Sequence, residues 1–99
     1  MKLQMHSIRF DADVKLLDFI QKKANKLDTF YDRIIDGEVF LRLDNDAQNG
    51  NKIVEIKLNI PGVQLFVKER SKSFEAATDL AVEALKRQLK KHKEKNFVF

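Results

Sequence analysis

Cysteine is absent from this 99-residue chain. That excludes a disulfide framework, a thiolate zinc site and a thiol nucleophile. Proline occurs once and glycine three times, so no proline- or glycine-rich stretch separates two units. The apolar runs are a few residues long, too short for a helix to span a bilayer. The first residues, MKLQMHSIRF, lack the long apolar stretch of a signal peptide, so nothing marks the chain for export. Two histidines, far apart in sequence, leave little for metal binding or acid–base chemistry. No glycine loop cradles phosphate and no nucleophile elbow is present. The expectation from these absences is a single cytoplasmic domain over residues 1–99. It is not an enzyme, needs no cofactor or metal, and engages neither membrane nor small-molecule substrate.

What is present is an ordinary core composition and an uneven charge. Apolar residues make up 43% of the chain and include eight phenylalanines, enough for one core. Lys and Arg number 19 against 15 Asp and Glu, a net charge of +4. Residues 1–50 carry 8 basic and 9 acidic side chains; residues 51–99 carry 11 and 6. Within residues 86–95, Lys86, Arg87, Lys90, Lys91, Lys93 and Lys95 face Glu94 alone. Such asymmetry points to a polyanionic partner.

Periodicity assigns the elements. Residues 3–9 alternate as a strand, with Leu3 and Met5 on one face and Gln4 and His6 on the other. Asp11 or Asp13 can cap a helix in which Leu16, Leu17, Ile20, Ala24, Leu27 and Tyr31 form one stripe, ending near Tyr31. Asp36-Gly37 reads as a turn. Three alternating strands follow between residues 38 and 68: Val39, Leu41 and Leu43; then Val54, Ile56, Leu58 and Ile60; then Val63, Leu65 and Val67 inward. A polar loop over 44–51 and the Pro61-Gly62 turn join them. Ser73 can cap a last helix running to about Glu94, followed by a short tail at about 95–99. The expected fold is α+β, in the order β-α-β-β-β-α. It has a four-stranded, mostly antiparallel sheet with two helices packed on one face, a shape like that of a double-stranded-RNA-binding domain.

The basic end of the last helix is the strongest functional feature, because long cationic side chains reach phosphates and binding releases counterions. A solvated helix end that complements the macrodipole has the same composition. Lys22, Lys23 and Lys26 form a smaller group on the first helix, partly offset by Asp18 and Asp28. Antiparallel or crossed helices could put both groups on one surface, extended by Lys68, Arg70 and Lys72. Phe40 and Phe66 project from the open sheet face, where aromatics either stack bases or simply cover the sheet. Asp44 to Asp46 could attract a cation but lacks a full calcium-loop pattern.

Three segments in order resemble one known family. They are Leu16, Phe19-Ile20, Lys23, Lys26-Leu27 and Phe30 on the first helix, the strand–Pro-Gly–strand segment IKLNIPGVQLFV, and AATDLAVEALKRQLKKHK from Ala76 to Lys93. The chain is similar to the ribosome hibernation-promoting factors, also called ribosome-associated inhibitor A or sigma-54 modulation proteins. It departs from them at Ser7 and Asp13, where glycine and threonine are common, and at Phe74-Glu75. The resemblance implies a translation inhibitor that binds the small ribosomal subunit and its rRNA in the messenger and transfer RNA channel. It would stabilise idle ribosomes under stress or in stationary phase. By the same resemblance Lys22, Lys23, Lys26, Lys86, Arg87, Lys90, Lys91 and Lys93 are rRNA-binding. The length suggests a short form, with a second hibernation factor as partner where ribosomes pair. The rival readings are a stand-alone double-stranded RNA binder and a protein-interaction module using Phe40, Phe66 and the Phe97–Phe99 tail.

Overall fold

A computed structural model describes residues 1–45 and 50–97, with side chains through Glu94. Its elements are β1 (Lys2–Ser7), α1 (Val14–Phe30), β2 (Asp36–Leu43), β3 (Lys52–Ile60), β4 (Val63–Ser71) and α2 (Phe74–Phe97). The strands lie in the order β1-β2-β3-β4 in one sheet. β1 and β2 are parallel; β2–β3 and β3–β4 are antiparallel. The β-α-β-β-β-α order and the mostly antiparallel sheet agree with the sequence reading.

Capping residues set where the helices begin. Asp13 is extended and its carboxylate accepts from the Lys15 amide at 3.1 Å. Ser73 Oγ accepts from the Ala76 amide at 3.0 Å. Each bond satisfies an amide that lacks a partner in the first helical turn. Ser73→Ala is expected to lower stability by about 1 kcal/mol. In thermal denaturation this is a fall in Tm of roughly 5 °C.

Side-chain alternation decides which sheet face the helices cover. Register aligns Val39, Ile56 and Val67, and likewise Leu41 and Val54. These residues are buried together with Leu58 and Ile60. Ile20, Ala24 and Leu27 of α1 and Ala77, Ala81, Leu85 and Leu89 of α2 complete that layer. The small alanine side chains admit α2 close to the sheet. Thr78 is buried as well, its hydroxyl donating to the Phe74 carbonyl one turn back at 2.7 Å. No helix of the described residues is long and apolar enough to cross a membrane.

Several boundaries differ from the periodicity. Gly37 is no turn: it lies inside β2, opposite Leu3 and Leu58. A Cβ there would meet Leu3 Cδ2 at 2.8 Å and the Lys57 carbonyl oxygen at 2.9 Å. The glycine thus serves close strand approach. β1 stops at Ser7, before Arg9, whose φ of 66° is incompatible with a strand. Val63 and Leu43, at strand ends, are exposed rather than inward. The α2 backbone stays helical past Glu94 to Phe97, because no Gly or Pro stops it, so residues 95–97 are helix rather than tail. The expected tail's last two residues, Val98 and Phe99, and Asp46 of the acidic loop lie outside the described residues. Asp44 of that loop is engaged by Arg70 at 2.5 Å.

Candidate nucleic-acid interface

The course of the strands dictates how the two basic groups meet. β1 and β4 point the same way, since β1 is parallel to β2 and two antiparallel steps lead from β2 to β4. Each helix returns from one of these strands, so α1 and α2 run in the same direction. Side-chain contacts advance in step along both: Lys23 with Asp79, then Phe30 with Lys86 and Lys93, then Tyr31 with His92. The antiparallel or crossed arrangement considered from sequence is therefore replaced by a parallel pair. Both C-terminal ends meet at one end of the molecule.

There the helices enclose an open groove of about 670 Å³. Its lining is Phe30 of α1 with Glu83, Lys86, Arg87, Lys90, Lys93 and Glu94 of α2. Phe30 organises the cations. Lys93 Nζ lies 4.9 Å from its ring centroid and donates to its carbonyl oxygen at 3.1 Å. Lys86 Nζ lies 5.6 Å from the same centroid. A cation over an aromatic face gains from the ring quadrupole, so the two ammonium groups are held without a neutralising carboxylate. Among the described residues, none of Lys86, Arg87, Lys90 and Lys93 has an ion pair within 4 Å.

The eight sequence-selected residues divide into three groups. Lys86, Arg87, Lys90 and Lys93 come together in the groove. Lys22 and Lys26 are exposed on α1 without an ion pair among the described residues, and Lys91 is exposed on α2 outside the groove lining. Lys23 is different: its ammonium is 3.2 Å from Asp79 and 5.5 Å from the Phe19 ring centroid. Much of its charge is locally answered.

One expectation changes. Lys68 and Arg70 do not extend this surface. Lys68 aligns with Glu55 and Phe40, and Arg70 with Ile53 and Arg42, on the sheet face opposite the helices. Phe30, half-buried at the end of α1, lines the groove beside Lys86, Arg87, Lys90 and Lys93. Its signal was an aromatic at the end of α1, readable only once the helices are known to run together. His92 packs edge-on against Tyr31 at 6.0 Å, a packing role.

A family model described as sigma 54 modulation protein / S30EA ribosomal protein matches residues 3–96. A ribosome hibernation promoting factor from Azotobacter vinelandii is 28% identical over 95 residues, covering 96% of this chain and 85% of its own. A ribosome hibernation promotion factor from Deinococcus radiodurans is 34% identical over 92 residues. That match takes in 91% of this chain but 48% of the relative. Among solved structures, a ribosomal subunit interface protein from Coxiella burnetii superposes with a TM-score of 0.85 at 23% identity, over 95% of this chain and 99% of its own. The N-terminal domain of Thermus thermophilus Protein Y gives 0.79 at 27% identity, over 93% and 99%.

Proposed function

The chain belongs to the sigma 54 modulation protein / S30EA ribosomal protein family, and we propose that it is a ribosome-binding hibernation factor. In this reading it enters the messenger and transfer RNA channel of the small subunit in the cytoplasm. It holds idle ribosomes inactive under stress or in stationary phase. A second hibernation factor takes part where ribosomes pair.

One observation carries the reading: the groove gathers four cations around Phe30 with no ion pair among the described residues. Such an arrangement suits a dense array of phosphates better than a protein surface of mixed charge. The relatives named as ribosome hibernation factors supply the ribosome as the polyanion. Mechanism is then steric and electrostatic. Lysine and arginine side chains neutralise rRNA phosphates, and a packed body measuring 47 × 26 × 19 Å excludes the RNAs that would share the channel. The domain is folded before it binds, so little ordering entropy opposes association.

Sedimentation through sucrose gradients tests this. The protein should travel with small subunits at low salt and return to the top of the gradient as salt rises. With about six phosphate contacts, affinity should fall roughly a thousandfold between about 50 and 200 mM salt. Salt-independent retention would overturn the electrostatic mechanism. Equal competition by a plain RNA duplex would make the protein a general duplex binder instead.

A further inference from the structure

The sheet face turned away from the helices holds charges and a ring that the helical groove does not use. Most of its ionic groups answer one another. Glu38 Oε2 lies 3.1 Å from His6 Nε2, Glu55 binds the Arg42 Nε, and Asp36 accepts from the Asn59 amide at 2.6 Å. Lys2 at the β1 end of the face, and Lys57 and Lys68 at its β3–β4 side, are the exceptions. Among the described residues, none of these ammonium groups has a carboxylate within 4 Å.

Lys57 is nevertheless held in place. Its Nζ stands 5.5 Å from the centroid of the Phe40 ring, which is itself stacked on His6 at 4.9 Å and 16°. On its other side Lys57 aligns with Phe66 of β4, one strand spacing away at about 4.8 Å. Phe66 is 47% exposed, an unusual state for a large ring in mid-strand. Lys68 follows Phe66 on the same face, two residues along the strand. A flat apolar ring thus shares the face with two lysines whose cross-strand carboxylates, Glu38 and Glu55, are engaged by His6 and Arg42.

We propose that this face is a second nucleic-acid site, which takes a short single-stranded RNA segment. A base stacks on Phe66, and Lys57 and Lys68 meet the flanking phosphates. Every base has a π-face, so such a platform tolerates sequence while demanding an unpaired strand. A duplex hides its bases from the ring. A peptide is the weaker candidate: strand addition would use the outer backbone edge of β4 and leave the face that carries Phe66, Lys57 and Lys68 unused. The site lies across the sheet from the helical groove and does not depend on the ribosomal role of that groove.

Fluorescence anisotropy with a labelled single-stranded RNA of about eight nucleotides tests the proposal, within the usual site size of such surfaces. The protein background carries Lys86→Glu, Arg87→Glu and Lys90→Glu, so that the helical groove is silenced. Binding should persist in this background and weaken about tenfold with Phe66→Ala. Phe66→Leu, which keeps apolar bulk but removes the ring, should weaken it similarly. Lys57→Gln with Lys68→Gln should reduce the salt slope by roughly 2. The proposal is overturned if the silenced background no longer binds, if Phe66→Leu binds like its parent, or if a duplex of equal length binds as tightly. Ribosome sedimentation of the Phe66 variants separates the two sites. Failure of the wild-type protein to sediment with small subunits, with oligonucleotide binding intact, would sink only the ribosomal reading.

Discussion

Replacing Lys86, Arg87 and Lys90 together with glutamate is expected to strip the protein from small subunits while leaving its circular dichroism native. All three side chains are exposed and without an ion pair among the described residues, so reversing them breaks no salt bridge and costs only the contact of Lys86 with the Phe30 ring. Each charge-assisted phosphate contact is worth at least about 1 kcal/mol net. Three of them amount to roughly a hundredfold in affinity before repulsion is counted. The salt slope of the remaining binding should fall by about 3. Lys93 is left out on purpose, because its bond to the Phe30 carbonyl joins the two helices. Lys91, outside the groove, makes an internal comparison: Lys91→Glu should cost far less than Lys90→Glu. Equal losses at the two positions would show that the groove is not the contact.

Leu85→Ala should have the opposite signature, a large loss of stability with little change in affinity. Leu85 is fully buried and packs α2 into the core, one residue before the first cation of the groove. Truncation removes its apolar burial and leaves a cavity that the sheet cannot close, at a cost of about 3 kcal/mol. For a domain of this size the melting temperature should drop by roughly 15 °C. Sedimentation with small subunits, measured well below that melting point, should match wild type. Impaired binding by a fully folded Leu85→Ala protein would mean that the groove is sensitive to small shifts of α2. The separation of the two variants, one losing affinity and the other stability, checks that fold and interface are built from different faces of one helix.

Local features were legible where a single residue type carries one physical meaning. Asp13 and Ser73 are short oxygen acceptors placed before apolar-periodic runs, and both cap. The alternation over Val39–Leu41 and Val54–Ile60 holds because one sheet face is covered and a one-residue slip would expose it. Gly37 failed because Asp-Gly marks a turn or a close backbone approach with equal ease, and only the Leu3 side chain and the Lys57 carbonyl pressing on it separate the two. Lys68 and Arg70 failed for a different reason. They precede α2 in sequence and lie close to its charge along the chain, yet alternation along β4 turns them to the far side of the sheet.

The absence of cysteine, the scarcity of glycine and proline, and the charge excess in the second half were enough to call for one small domain with a polyanionic partner. Order, caps and strand alternation followed from local chemistry, since each depends on residues within a turn or two of one another. The interface did not. It required the parallel pairing of β1 with β2, which sends both helices in one direction and brings Phe30 beneath Lys86 and Lys93, more than fifty residues later in the chain. A strand–helix–strand order implies that parallel pairing, but the place of β4 at the far edge, which sets α2 beside α1, arises only when strands distant in sequence choose their neighbours. The same choice put Lys57, Lys68 and Phe66 together on the opposite face, and so gave one modest excess of positive charge two separate surfaces.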